Sequence, residues 1–157
     1  MLEYWRAIEA GDVVVSKRVR QQYERLARDA ESPGRYMFDV DKANRPIQFI
    51  ETFCKHSKGE WAGQPIKLEL FQKAFVAALF GFVDKTTGLR RFREAMFFCG
   101  RKNGKSVLLS GIALYMLMAD GEGGAEVYSL ASKRDQAAIL FDETHNMIKQ
   151  NRYLAKH

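Results

Sequence analysis

Apolar residues recur along the first third of the chain at helical spacing. Val19, Tyr23 and Leu26 fall three and four residues apart, forming one narrow stripe on a helix that Ser16 can cap and that Ser32-Pro33-Gly34 ends. Phe49, Ile50 and Phe53 mark a second helical stretch, with a stop signal at Ser57-Lys58-Gly59. From residue 69 the character changes. Leu70, Phe71, Ala74, Phe75, Ala78 and Leu79 give a strongly apolar helix over residues 69–80, and Gly81 is a weakening or stop point.

The second half alternates between strand and helix signals. Asp84-Lys85-Thr86-Thr87-Gly88 is a turn, and Ala95-Met96-Phe97-Phe98-Cys99 is an apolar run suited to a buried strand. That run feeds a basic loop containing glycine, followed by a helix over residues 106–118 rich in leucine and small residues. Asp120-Gly121-Glu122-Gly123-Gly124 closes this helix, and residues 126–131 form a second compact strand candidate. Ser132 can cap a last helix whose face carries Ala137, Leu140, Phe141, Thr144 and Ile148. The order strand, loop, helix, strand, helix predicts a right-handed βαβ arrangement in a parallel sheet covered by helices. Two or three such strands leave an open edge, so the expectation is a domain needing more polypeptide to finish its core.

Length and composition bound this picture without choosing a function. A chain of 157 residues with 46% hydrophobic content can bury one substantial core. Its 25 basic against 19 acidic residues give a net charge of +6, which suits phosphate-rich partners as well as ordinary solubility. Cys54 and Cys99 belong to no metal-spaced cluster, which argues for a reduced compartment. The apolar runs at 75–82 and 107–118 are too short or interrupted for a bilayer, so the expectation is a soluble intracellular protein.

The chemistry concentrates in Cys99-Gly100-Arg101-Lys102-Asn103-Gly104-Lys105-Ser106. At a strand-to-helix junction, successive backbone N–H groups and a helix amino terminus point at a phosphate. Gly104 allows close approach, Lys105 reaches the β and γ phosphates, and the Ser106 hydroxyl is a ligand for Mg²⁺. The standard spacing puts a glycine where Cys99 stands, and Gly100 comes one position late. Gln72 carries an amide suited to an adenine edge, although by position alone it is an exposed helical glutamine. Asp120, Glu122 and Glu126 fit a solvated loop better than a metal site, and His56, His145 and His157 are too scattered for one. No aliphatic strand ending in an acidic pair follows, so the chain is expected to bind nucleotide weakly and to hydrolyse it poorly or not at all.

With these residues in view, the loop resembles the variant Walker A motif of tailed-phage terminase large subunits, with an early arginine and a closing Gly104-Lys105-Ser106. Ile66-Lys67-Leu68-Glu69-Leu70-Phe71-Gln72 is similar to that family's adenine-binding segment, and residues 127–137 to its next strand and helix. The resemblance covers roughly residues 45–150. It implies a partial P-loop, RecA-like α/β ATPase fold over residues 61–157, truncated before Walker B, with a helical amino-terminal extension over residues 1–60. It implies ATP and Mg²⁺ as cofactors, Gln72 as adenine reader, and Gly100, Arg101, Lys102, Asn103, Gly104, Lys105 and Ser106 around the phosphates. Lys105 and Arg101 would be catalytic and Ser106 the metal contact. The implied partners are double-stranded DNA, a terminase small subunit, a portal protein and further copies in a ring, in the cytoplasm of a bacterial host. The alternatives are a basic nucleic-acid-binding module without nucleotide, or a fragment of another P-loop motor or helicase.

Overall fold

Ser16 opens the second helix as its spacing predicts, its hydroxyl accepting from Val19 N–H at 3.4 Å. The computed structural model describes residues 1–156, with helices α1 (Leu2–Ala10), α2 (Lys17–Glu31), α3 (Val40–Phe53), α4 (Leu70–Gly81), α5 (Lys105–Met118) and α6 (Arg134–Lys149). Two strands, β1 (Tyr36–Phe38) and β2 (Phe82–Asp84), and a 3-10 turn at Leu154–Lys156 complete it. His157 lies outside the described residues. No helix among them is long and apolar enough to cross a membrane. The chain forms two compact units, one of Met1–Ile47 with Glu69–Met96 and the other of Gln48–Leu68 with Phe97–His157.

In the first unit the stripe of α2 is buried as expected. Val19 and Tyr23 pack with Tyr4 and Ile8 of α1 and Ala74 of α4, and Tyr4 meets Tyr23 edge-on at 4.8 Å. Leu26 continues the same side against Ala78 and Phe82. β1 and β2 pair antiparallel, with Tyr36 opposite Asp84 and Phe38 opposite Phe82. Gly81, expected as a weak point, is the last residue of α4 and leaves no room for a side chain: a Cβ there would lie 2.6 Å from the Phe38 ring and 2.8 Å from Ala43. The turn at 84–88 forms, with Asp84 Oδ1 accepting from the N–H groups of Thr86 and Thr87.

In the second unit α5 and α6 pack together, with Ser110 of α5 donating to the Leu140 carbonyl at 3.4 Å. Gly111 brings α5 close to Ile50, where a Cβ would meet its side-chain carbons at 3.0 to 3.2 Å. The second helical stretch ends at Phe53, earlier than the Ser57-Lys58-Gly59 signal. After it the chain folds back on itself: Lys55 bridges Pro65, and Ile66 N–H donates to the Cys54 carbonyl. Ser57 donates to Glu143 at 2.6 Å, and Asn151 Nδ2 donates to the Phe53 carbonyl at 2.9 Å. Cys54 and Cys99 are free thiols, and burial pushes Cys54 up to about 12.

The expected parallel sheet is not formed among the described residues; their one sheet is the antiparallel β1–β2 pair. Residues 95–99 and 127–131 lie outside any ladder. Met96, Phe98, Val127, Tyr128 and Leu130 face solvent, with Phe98 87% and Leu130 92% exposed, while Phe97 and Cys99 are half-buried. An apolar run specifies a segment that can be buried in a sheet, but a ladder also needs a strand beside it. The cap of α6 also differs. Lys133 stands at the N-cap position, and Ser132 donates instead to the Gln136 side-chain oxygen.

Candidate functional site

The phosphate-loop candidate is set on a helix whose body is fixed and whose start is open. Leu108, Ser110, Ile112, Leu114 and Tyr115 of α5 are buried, and Phe49 of α3 meets Tyr115 edge-on at 5.6 Å. In contrast, residues 100–106 are all exposed, and Cys99 is half-buried. A rigid helix thus presents its amino terminus and the preceding loop to solvent.

The loop backbone is unusual in a way that suits an anion. Gly104, the N-cap of α5, has φ 67° and ψ 17°, and Lys102 has φ 65°, alone among described non-glycine residues with positive φ. Left-handed residues in a short loop turn successive N–H groups toward one side, creating a concave donor surface. A lysine in this conformation carries strain of about 1–2 kcal/mol, the kind of local outlier that accumulates at ligand clamps. Asn103 braces the loop by donating from Nδ2 to the Arg101 carbonyl at 3.2 Å. Gly100 sits under it, since a Cβ there would approach Asn103 Nδ2 to 3.2 Å.

The helix start adds further donors. Leu108 N–H is the first to bond back, to the Gly104 carbonyl at 2.9 Å, and no side chain caps α5. Helix geometry therefore leaves the N–H groups of Lys105, Ser106 and Val107 without an intrahelical carbonyl. The positive end of the helix dipole coincides with Arg101, Lys102 and Lys105, none of which forms an ion pair among the described residues. No carboxylate occurs from residue 95 to residue 119, so the loop's own segment does nothing to neutralise these cations.

The fit to the implied ligands follows from these donors. A triphosphate would find main-chain N–H groups, one long ammonium side chain and an exposed hydroxyl at Ser106. No group of three or more His, Cys, Asp or Glu side chains among the described residues could hold a metal ion. Mg²⁺ keeps several waters and takes phosphate oxygens beside one or two protein groups, so the Ser106 hydroxyl suits it as a partial ligand. Asp120, Glu122 and Glu126 are loop residues, and Glu126 accepts from the Tyr128 hydroxyl at 2.7 Å. His56 belongs to the fold-back after α3, while His145 stacks on Phe141.

Gln72 stands in the first unit, and the loop in the second. Instead of an exposed helical position it has 6% exposure near the start of α4. Its Oε1 accepts from Glu69 N–H at 2.9 Å, and the Glu69 side chain accepts in return from the backbone of Gln72. Glu69 followed three residues later by Gln72 ahead of an apolar run is a weak signal for this capping box, because the usual N-cap residue is Ser, Thr, Asp or Asn. The left-handed Lys102 had no sequence signal, because lysine has no preference for that conformation.

Comparison with known proteins identifies a family. A family model described as terminase large subunit, ATPase domain, matches residues 70–157. The large terminase subunit of Enterobacteria phage HK97 is 36% identical over 113 residues, covering 71% of this chain and 21% of that protein. The crystal structure of the HK97 bacteriophage large terminase superposes with a TM-score of 0.61 at 34% identity, over 73% of this chain and 22% of that one. The chain therefore spans about a fifth of the length of these relatives. An exposed, left-handed basic loop at the start of a buried helix and the match over residues 70–157 lead to one conclusion: the chain belongs to the terminase large subunit ATPase family.

Proposed function

We propose that this chain is the ATP-binding front of a viral DNA-packaging motor, which in its full-length form hydrolyses ATP to move double-stranded DNA into a procapsid and also cuts the DNA. The observation that carries this reading is the pairing of left-handed Lys102 and Gly104 with the uncapped start of α5. Residues 61–157 form the ATPase portion in this proposal, and residues 1–60 the helical extension. Its parallel sheet would be completed around residues 95–99 and 127–131. The working assembly is a ring of copies with a small subunit and a portal protein, in the cytoplasm of a bacterial host.

The chemistry follows from where the donors point. Main-chain N–H groups around Lys102, Gly104 and the first turn of α5 would hold the β phosphate, and Lys105 would donate to γ-phosphate oxygens. The Ser106 hydroxyl would hold Mg²⁺, which would supply positive charge against the negative charge that develops during transfer. Arg101 would add positive charge as the bond to the γ phosphorus breaks and water attacks. Gln72 would read the adenine edge. No carboxylate stands in the loop segment to orient that water, so hydrolysis by this chain alone should be slow while binding persists.

Nucleotide affinity of the 157-residue chain, measured with a fluorescent ATP analogue in the presence of Mg²⁺, tests the assignment. Lys105→Ala should weaken binding by about tenfold or more, the loss typical of removing a charge-assisted contact. Equal affinity of the two proteins would remove the phosphate role from this loop.

A further inference from the structure

The solvent side of α2 carries a charge pattern that neither the packing of the first unit nor the phosphate loop uses. Val19, Tyr23, Leu26 and Ala30 face the apolar clusters. On the opposite side, helical spacing aligns Lys17, Arg18, Gln21, Gln22, Arg25 and Arg28, all exposed. Arg28 is paired to Glu24 at 3.2 Å, and both lie near the centre of the solvent side, while Gln22 borders the apolar stripe. The side chains of Lys17, Arg18, Gln21, Gln22 and Arg25 make no hydrogen bond or ion pair among the described residues.

This arrangement opposes the helix's own electrostatics. The first turn of α2 has no acidic residue, although the positive end of a helix dipole favours carboxylates there. Arg20 has a structural reason to be basic, since it donates to the Ile8 carbonyl at 3.2 Å and lies over the Trp5 ring. Lys17 and Arg18 have none. Cations that face the positive end of their own helix with no hydrogen-bond or ion-pair partner among the described residues break a local rule without a compensating polar contact, which points to an external anion.

We propose that this face of α2 binds the phosphate backbone of duplex DNA. Arg18 and Arg25 lie one heptad apart, about 10 Å along the helix axis, and flank two glutamine amides. Guanidinium and amide donors are the groups that contact phosphate and sugar without reading bases. An acidic protein partner fits less well, because protein interfaces centre on aromatic or aliphatic anchors and this face has none. The proposal takes the choice of duplex from the motor reading above but is independent of the phosphate loop.

Fluorescence anisotropy of the whole chain with a labelled 30-base-pair duplex across a salt series tests it. Arg18→Gln/Arg25→Gln should weaken binding about tenfold at low salt, and the slope of log affinity against log salt should fall by about 2. Gln22→Glu, which removes no cation and adds repulsion on the same exposed face, should weaken binding as well. Unchanged thermal melting and nucleotide affinity would show that each variant remains folded. Lys105→Ala should leave duplex binding intact, which separates this proposal from the nucleotide assignment. Absence of wild-type binding at low salt, equal affinity and slope in the α2 variants, or a defect seen only toward polyglutamate would overturn it.

Discussion

Arg35 donates from Nε to Asp84 Oδ2 at 2.6 Å, joining the segment before β1 to the end of β2. The Asp84 carboxylate is buried and also accepts from two turn N–H groups, whereas Arg35 remains mostly exposed. The bond from Arg35, followed by those from Thr86 and Thr87, pushes Asp84 down to about 2.

A pH dependence with a defined sign follows. Because the folded value lies below the ordinary carboxylate value of 3.8, the stabilisation from ionised Asp84 is present above that value and is lost as pH falls through about 2. Asp84→Asn keeps an oxygen for the turn but removes the charge facing Arg35. The variant should therefore melt below the parent at pH 6, with the gap closing as pH approaches 2. A gap of constant size over that range would show that the charge contributes nothing.

The left-handed conformation of Lys102 makes an ordering prediction. Lys102→Gly relieves the steric strain while adding unfolded-state entropy, so its stability should lie within about 1 kcal/mol of the parent. Lys102→Val places a β-branched residue in the same conformation and should destabilise by about 1–2 kcal/mol. Chemical denaturation of the three proteins checks the order. Equal stability of the valine and glycine variants would mean that the loop does not hold this backbone geometry in solution.

Gln72 is predicted to serve two separable roles. Gln72→Ala breaks the capping box of α4, a loss of about 1 kcal/mol, which corresponds to roughly 2–4 °C in melting temperature. Gln72→Glu retains an acceptor for Glu69 N–H and should recover most of that loss. If Gln72 also reads adenine, both variants should bind ATP more weakly. Full nucleotide affinity in the glutamate variant would confine Gln72 to the capping box.

What the sequence made legible was local. Ser16 capped its helix, Asp84 made its turn, and Ala74 and Ala78 of α4 and Leu108, Ile112 and Leu114 of α5 were buried, because cap chemistry and helical spacing act over a few residues. The start of α5 was legible for the same reason, since Gly104-Lys105-Ser106 begins a helix as expected. The β1–β2 pair escaped notice because Tyr36 and Asp84 find each other across 47 intervening positions, and each strand is only three residues long. The parallel sheet failed for the converse reason: residues 95–99 and 127–131 had the composition of strands, but composition supplies no neighbour. α1 went unread because it offers one buried face, at Tyr4 and Ile8, and no side-chain cap to mark its start.

The second unit is fastened by residues that are synthesised far apart. Ser57 and Glu143 are separated by 86 positions, and Asn151 and Phe53 by 98. The Ser57 hydroxyl and the Phe53 carbonyl must therefore wait, hydrated, until Glu143 and Asn151 have left the ribosome. All segments of the first unit, by contrast, are available once residue 96 has emerged. Closing long loops is slow relative to forming local helices, so nascent chains should acquire the α1–α2–α4 packing before the helix that carries the phosphate loop is anchored.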